Sequence, residues 1–183
     1  LSAAIKLKQL SKKANSELSV CVIEKGSEVG AHIVSGAVIE TKALDELIPD
    51  WKTKNSPLKT QATNDKFLYL TETKSYQLPT PPQMHNKGNY IISLSDFTKW
   101  LAQQAEELEV EIYPGFSASE VLFDEDNKVV GVATCDMGRL KDGSAGPNFE
   151  RGIELRAKQT IFSEGCRGHL GKILMEKFNL NSD

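Results

Sequence analysis

The first group in this sequence with recognisable chemistry is a carboxylate that ends an apolar run. Residues 18–23 are short, largely apolar and rich in β-branched side chains, and Glu24 follows them. Such a run predicts a strand buried on both faces, as in a parallel sheet. In nucleotide-binding folds, an acid at the end of such a strand accepts hydrogen bonds from ribose hydroxyls. Glu24 is therefore a candidate nucleotide ligand; the alternative is a solvated strand end.

A second candidate is a turn with three glycines near the end of the sequence. Residues 164–171 read Glu-Gly-Cys-Arg-Gly-His-Leu-Gly, and a helix is predicted over 172–178. A strand-to-helix turn of this kind leaves helix N-terminal N–H groups free to face an anion or a cofactor edge. The loop over 25–37 is also glycine-rich, which suits close passage of backbone beside a flat group, or an ordinary surface loop.

The elements around Glu24 read as the second half of a βαβ unit. Residues 1–13 have helical apolar spacing, and a short polar link leads to the strand. The chain is thus expected to begin inside a helix, with a first strand and glycine turn upstream. A G-x-G-x-x-G ending just before Leu1 would place Glu24 near the expected offset of about 20 residues.

Composition excludes several classes of protein. The 183 residues fit one domain, and a net charge of −3 gives no electrostatic reason to expect nucleic acid. No apolar run approaches the roughly 20 residues that span a bilayer. The cysteines fit neither a CxxC pair nor a metal knuckle, and Cys21 is expected to be a core residue. The histidines are scattered, so we assign no catalytic residue and no metal ligand.

The rest of the pattern alternates short strands with helices. A Ser93 or Ser95 cap and an apolar stripe predict the clearest helix, which runs to about Leu108. A polar, glycine-rich loop is predicted over 135–152, and residues 158–163 are expected to turn toward the interior. Other predicted elements are a helix over 43–48, strands over 66–71, 75–79, 110–113 and 153–157, and a hairpin of 119–124 with 128–134.

Six blocks of sequence resemble the electron-transfer flavoprotein:ubiquinone oxidoreductase family. They extend over nearly the whole chain and are residues 22–39, 47–52, 87–92, 104–108, 111–116 and 160–170. The resemblance implies an α/β fold, a partial Rossmann-like FAD-binding domain of the glutathione-reductase type with an inserted β-hairpin and α+β segment. Residues 1–36 and 110–183 would form the FAD-binding core, and 37–109 an insertion contributing to the quinone and membrane region.

The resemblance also implies the cofactor site. Glu24 would hold the adenosine ribose, Ser35 and Gly36 would lie along the flavin side, and the backbone at Ala118 and Ser119 would meet the adenine. The complete set of implied FAD-binding residues is Leu1, Ser2, Glu24, Lys25, Ser35, Gly36, Ala118, Ser119 and Gly165.

The family carries electrons from reduced electron-transfer flavoprotein to ubiquinone through FAD and a 4Fe-4S cluster. The chain would be a fragment without the cluster ligands, inactive alone, from the mitochondrial inner membrane or the bacterial cytoplasmic membrane. The alternatives are a related flavin monooxygenase or geranylgeranyl reductase, or a redox-inactive product that binds membrane or a partner. The implied peripheral membrane surface, for which ordinary core packing is the alternative, consists of Ile33, Val34, Val38, Ile39, Leu44, Leu47 and Ile48.

Overall fold

A computed structural model describes residues 1–180, which divide into two compact units. The first unit contains residues 1–22 and 26–113, and the second contains residues 23–25 and the described residues from 114 onward. The helices are α1 (Ser2–Lys13), α2 (Lys42–Leu47), α3 (Leu94–Glu106) and α4 (His169–Lys177). The strands are β1 (Cys21–Glu24), β2 (Gly36–Ile39), β3 (Thr60–Gln61), β4 (Phe67–Leu70), β5 (Ser75–Leu78), β6 (Tyr90–Ser93), β7 (Glu111–Pro114), β8 (Ala118–Phe123), β9 (Val129–Thr134), β10 (Met137–Arg139), β11 (Ala145–Glu150) and β12 (Glu154–Arg156).

Helices α1, α2 and α3 supply much of the core of the first unit. The predicted stripe of α3 is confirmed, since Trp100, Leu101 and Ala105 are buried. Ser93 caps this helix by accepting a hydrogen bond from the Asp96 backbone N–H at 3.3 Å. The buried core residues are Ala4, Ile5, Leu44, Ile48, Trp51, Leu58, Ile92, Trp100, Leu101, Ala105 and Val110.

The strands of the first unit form three small sheets. Strand β6 lies between β2 and β3 and pairs with both in antiparallel register. Strand β1 pairs with β7, and the Glu111 N–H donates to the Val20 carbonyl at 3.0 Å. Strands β4 and β5 form a separate antiparallel hairpin in which Phe67 faces Leu78. A single turn of 3₁₀-helix, Pro82–Met84, follows that hairpin.

The second unit is built on an antiparallel sheet in the order β12-β9-β8. The hairpin of β8 and β9 and the strand β12 confirm their predictions from the sequence. Helix α4 packs on β8, and its Leu170 is 1% exposed. At the other end of α4, the centroids of the Phe178 and Phe123 rings lie 6.1 Å apart. Lys177 Nζ lies 4.0 Å from the centroid of the Phe123 ring.

Four predictions from the sequence about burial and secondary structure are wrong. Strand β1 is not buried on both faces, because Cys21 is exposed and the other three residues of the strand are only half-buried. Cys21 is therefore not the core residue that was predicted. The expected loop over 135–152 contains the hairpin of β10 and β11. Residues 158–163 form no helix or strand, and Ile161 among them is 59% exposed.

The hairpin of β10 and β11 was not predicted because its strands are largely exposed and show no apolar alternation. Its turn is instead closed by local hydrogen bonds. The Asp142 carboxylate accepts from the backbone N–H of Ser144 at 3.0 Å and from its hydroxyl at 2.6 Å. Gly143 between them has φ of +86°, a conformation that favours glycine.

Candidate cofactor-binding site

Glu24 is the last residue of strand β1, as the sequence predicts, and it is half-buried. Lys25, which follows it, is exposed, and Gly26 is buried. Placement at the end of a strand is the position from which a carboxylate can accept hydrogen bonds from sugar hydroxyls. Whether Glu24 contacts a nucleotide stays a prediction.

The loop after Gly26 is held against the start of helix α3. The Ser95 hydroxyl donates to the Gly30 carbonyl at 3.0 Å, and Lys99 forms an ion pair with Glu28 at 3.0 Å. Gly30 has φ of +84°, and a Cβ there would lie 3.0 Å from the Ser95 carbonyl oxygen. Only glycine fits this approach without strain, so the loop has one favoured path to β2.

That path delivers Ser35 and Gly36 to the beginning of β2. The Ser35 carbonyl accepts a hydrogen bond from the Leu94 N–H at 3.2 Å. A Cβ on Gly36 would lie 2.9 Å from the Ile92 carbonyl oxygen, so the close pairing of β2 with β6 requires glycine. Both Ser35 and Gly36 are exposed, which leaves their outer surface accessible to a ligand.

The second glycine turn differs from expectation in one respect. The Glu164 carboxylate accepts hydrogen bonds from the backbone N–H groups of Leu170 at 3.3 Å and Gly171 at 2.8 Å. These N–H groups at the start of α4 therefore already have an anionic partner, and the prediction that they are free is wrong. A Cβ on Gly168 would approach the Glu164 Cβ to 2.6 Å, so glycine is also needed to admit this carboxylate.

The open part of the turn is Gly165 itself. It has φ of +74°, it is exposed, and a Cβ built on it would have no atom within 4 Å. The backbone here can be approached closely from outside, which suits contact with a bulky cofactor rather than capture of an anion by the helix. Glu164 carries no recognised capping signal in the sequence, because it lies several residues before the start of the helix.

The remaining predicted ligands lie at the starts of elements. Ala118 and Ser119 begin β8 and are half-buried, and the Ser119 hydroxyl donates to the Ala133 carbonyl at 3.3 Å. Leu1 caps α1 and Ser2 is its first residue. The first unit contains Leu1, Ser2, Ser35 and Gly36, and the second contains Glu24, Lys25, Ala118, Ser119 and Gly165.

The predicted membrane surface needs correction. Leu44 and Ile48 are each 4% exposed and lie in the core, and Leu47 packs partly against it. Leu44 and Ile48 belong to the same core cluster as Ile5 of α1 and Trp100 of α3, so they are not part of an exposed surface. Val34 and Val38 are exposed, while Ile33 and Ile39 are half-buried.

An exposed apolar surface occurs instead on the hairpin of β4 and β5. All eight residues of its strands are exposed, including Tyr69 at 61% and Leu70 at 68%. We call this hairpin, residues 67–78, the apolar hairpin. The sequence predicted the two strands of this hairpin but not that both of its faces would be exposed.

Residues 1–180 contain neither a metal-binding cluster nor a disulfide. No group of three or more His, Cys, Asp or Glu residues could hold a metal ion, and Cys21, Cys135 and Cys166 form no disulfide. The described residues therefore do not fit an iron–sulfur cluster. In the same part of the chain, none of the helices has the length and apolar character needed to cross a bilayer.

The fold matches that of solved flavoproteins. A flavoprotein/dehydrogenase from Cytophaga hutchinsonii superposes with a TM-score of 0.55 at 16% identity, covering 100% of this chain and 40% of that one. The myxobacterial chondrochloren halogenase CndH, described as a variant of FAD-dependent halogenases, gives 0.55 at 14% identity, covering 93% and 36%. The class is thus a mixed α/β flavoprotein fold.

Sequence comparison narrows this class. The chain is 61% identical over 183 residues to the mitochondrial electron transfer flavoprotein-ubiquinone oxidoreductase of Dictyostelium discoideum, covering 100% of the chain and 30% of that protein. The Arabidopsis thaliana protein of the same name is 55% identical, with 100% and 29% covered. The probable bacterial one of Acinetobacter baylyi is also 55% identical, with 100% and 33% covered.

These relatives confirm the resemblance seen in the sequence. The whole chain aligns with proteins that bear this name, and it spans about 30% of the length of the first of them. No protein-family model matches the chain.

Proposed function

We propose that this chain contributes part of the FAD-binding region of an electron transfer flavoprotein-ubiquinone oxidoreductase. The observation that carries the proposal is identity of 50–61% to proteins of this name over the entire chain. The flavoprotein fold of the solved neighbours is consistent with it. The electron donor would be reduced electron transfer flavoprotein and the acceptor ubiquinone.

The residues that would contact FAD fall into groups along the length of the cofactor. Glu24, half-buried at the end of β1, would accept hydrogen bonds from the adenosine ribose, and Lys25, Ala118 and Ser119 would lie along the adenosine half. The open backbone of Gly165 would allow close approach of the cofactor. Ser35 and Gly36 would contact the flavin half, and Leu1 and Ser2 would follow the diphosphate turn.

FAD supplies redox chemistry in which one or two electrons can be held, so the protein's task is to bind and orient it. The residues of this chain would do so mainly through backbone, and we assign none of them a catalytic proton transfer. The loop over 26–35 is fixed by Ser95 and Lys99, and Glu164 fixes the second turn. A 4Fe-4S cluster in the complete protein would need ligands outside the described residues.

Peripheral attachment to a membrane is the remaining part of the proposal. The apolar hairpin is the surface that supports it, since an exposed apolar patch of this kind marks an interaction site. The location would be the mitochondrial inner membrane in a eukaryote or the cytoplasmic membrane in a bacterium; the relatives include one named as mitochondrial and one from a bacterium.

The test of cofactor binding is the variant Glu24→Gln in the full-length protein. It keeps the shape of the side chain but removes the charge, and loss of a charge-assisted hydrogen bond of about 1.5–3 kcal/mol should weaken FAD retention about tenfold or more. Flavin absorbance per mole of purified protein is the measurement.

Glu17→Gln is the matched control, because Glu17 is exposed and precedes the same strand. It should leave flavin content unchanged. Equal flavin content in the wild type and Glu24→Gln would remove Glu24 from the site, and a wild-type protein without flavin would contradict the proposed function itself.

A further inference from the structure

A cavity of about 240 Å³ lies in the first unit beside the turn that follows α2. Its apolar lining comes from Trp51, Leu58 and Tyr90, of which Trp51 and Leu58 are buried. The Trp51 and Tyr90 rings meet edge to face with centroids 5.6 Å apart, so this wall is rigid. The volume is several times the roughly 30 Å³ that one water molecule occupies in the liquid.

The rest of the lining consists of hydrogen-bond donors. Lys52, Asn55, Ser56 and Lys59 all face this cavity, and no carboxylate lines it. A lining with two ammonium groups and no acid favours an anion.

Neither lysine of the cavity is neutralised directly. Lys52 and Lys59 form no ion pair among residues 1–180, whereas Lys54 between them pairs with Asp50 and Glu107. Lys52 Nζ lies 5.4 Å from the centroid of Trp51, at the edge of the aromatic wall. The nearby Asp45 carboxylate accepts hydrogen bonds from the Trp51 indole and the Thr41 hydroxyl. These hydrogen bonds lower its pKa most, and the Lys52 charge lowers it further, so Asp45 offsets part of the Lys52 charge.

Ser56 adds a neutral donor to the two lysines. It is only 6% exposed and lines the cavity, and within the described part of the chain its hydroxyl has no hydrogen-bond partner. The hydroxyl is therefore available to donate a hydrogen bond to an acceptor bound in the cavity.

We propose that this cavity binds a phosphate group, either of a small soluble phosphate monoester or of a phospholipid headgroup. A phosphate dianion matches two ammonium groups in charge. Its three or four oxygens can accept from the Lys52, Lys59, Asn55 and Ser56 donors together, which the two oxygens of a carboxylate do less completely. The site shares no residue with the proposed FAD site.

The first experiment titrates the full-length protein with inorganic phosphate at constant ionic strength, and follows binding by calorimetry. Lys52→Gln/Lys59→Gln should weaken phosphate binding about tenfold or more, since two charge-assisted contacts are lost. The control Lys141→Gln/Lys158→Gln removes two exposed lysines of the second unit and should leave binding unchanged.

Ser56→Ala provides a second variant with no change of charge. It should weaken phosphate binding several-fold while the thermal midpoint stays within a few degrees, because the hydroxyl it removes has no partner in the protein. Absence of phosphate binding to the wild type, or equal weakening in the control pair, would overturn the proposal.

The source of the phosphate is distinguished with vesicles. Vesicles of phosphatidylcholine with phosphatidic acid should bind better than phosphatidylcholine alone, and inorganic phosphate should compete, if the headgroup is the ligand. If phosphatidic acid does not improve vesicle binding while inorganic phosphate still binds, the ligand is a soluble phosphate monoester. Flavin content should be normal in Lys52→Gln/Lys59→Gln, because the phosphate site shares no residue with the proposed FAD site. Loss of the phosphate-site proposal and loss of the proposed function are therefore distinguished by separate measurements.

Discussion

The pairing of β1 with β7 places Glu111 near Cys21 and so affects the pKa of this thiol. Cys21 begins β1, and although its side chain is exposed, desolvation by neighbouring atoms together with the Glu111 carboxylate raises its pKa above the ordinary value of 9.0. Glu111 also accepts a hydrogen bond from the Tyr113 hydroxyl at 2.8 Å, and this contact raises the pKa of Tyr113. The thiolate is the reactive form of cysteine, so Cys21 should react slowly at neutral pH.

We therefore expect Glu111→Gln to accelerate alkylation of Cys21 by iodoacetamide at about pH 8, because removing the carboxylate charge lowers the pKa of the thiol. Rates are measured for each cysteine by mass spectrometry of its peptide. Glu120→Gln, a change on the exposed surface of β8, should not alter the rate. An unchanged Cys21 rate in Glu111→Gln would show that burial alone governs the thiol.

At the scale of elements, the sequence was informative wherever an element had one clear apolar face or a local cap. Helix α3 was predicted with its cap and its stripe, and so was the hairpin of β8 and β9. Burial was predicted poorly, because it depends on which neighbours cover an element. The run before Glu24 predicted a strand buried on both faces, yet Cys21 of β1 is exposed and the rest of the strand is half-buried. Leu44 and Ile48, which were assigned to an exposed surface, are buried in the core.

The exposure of the apolar hairpin was also not predictable from its sequence. Phe67, Leu68, Tyr69 and Leu70 form an apolar run of the kind that suggests a buried strand, but all four are exposed. An isolated two-stranded hairpin is only marginally stable in water, so a surface that covers its side chains would also stabilise it.

Replacing Leu70 by glutamate should reduce binding of the full-length protein to phosphatidylcholine vesicles about tenfold or more. Burying a leucine in an apolar phase is worth about 1.5–3 kcal/mol, and a charge opposes it further. Co-sedimentation with vesicles is the measurement. Ile161→Glu, in the second unit and similarly exposed at 59%, is the control; equal loss in both variants would contradict a specific role for the hairpin.

At the scale of the molecule, the two units share one electrostatic feature. Each contains aspartates whose carboxylates accept hydrogen bonds that lower their pKa below 3.8. In the first unit these are Asp45, mainly through the Trp51 indole, and Asp65, mainly through the Asn86 backbone N–H. In the second they are Asp136, mainly through the Gly152 backbone N–H, and Asp142, mainly through the Ser144 hydroxyl.

The sign of the resulting pH dependence is the same for all four. A carboxyl group with a lower pKa in the folded state binds fewer protons there than in the unfolded chain. Its contribution to stability is present above about pH 4, the ordinary range for aspartate, and is lost as the pH falls through the folded value. Because each unit has two such aspartates, both units should lose stability from this cause as the pH falls.

We expect the thermal midpoint of the full-length protein to fall as the pH is lowered below about 4, and Asp65→Asn to reduce that fall. Asparagine cannot take up the proton, so the variant starts less stable at neutral pH but loses less on acidification. Asn86→Ala removes the side-chain donor at 3.1 Å and keeps the backbone donor at 2.9 Å, and should therefore behave as an intermediate case. Calorimetric scans between neutral and acidic pH measure this, and identical slopes for all three proteins would show that these hydrogen bonds do not set the acid limit.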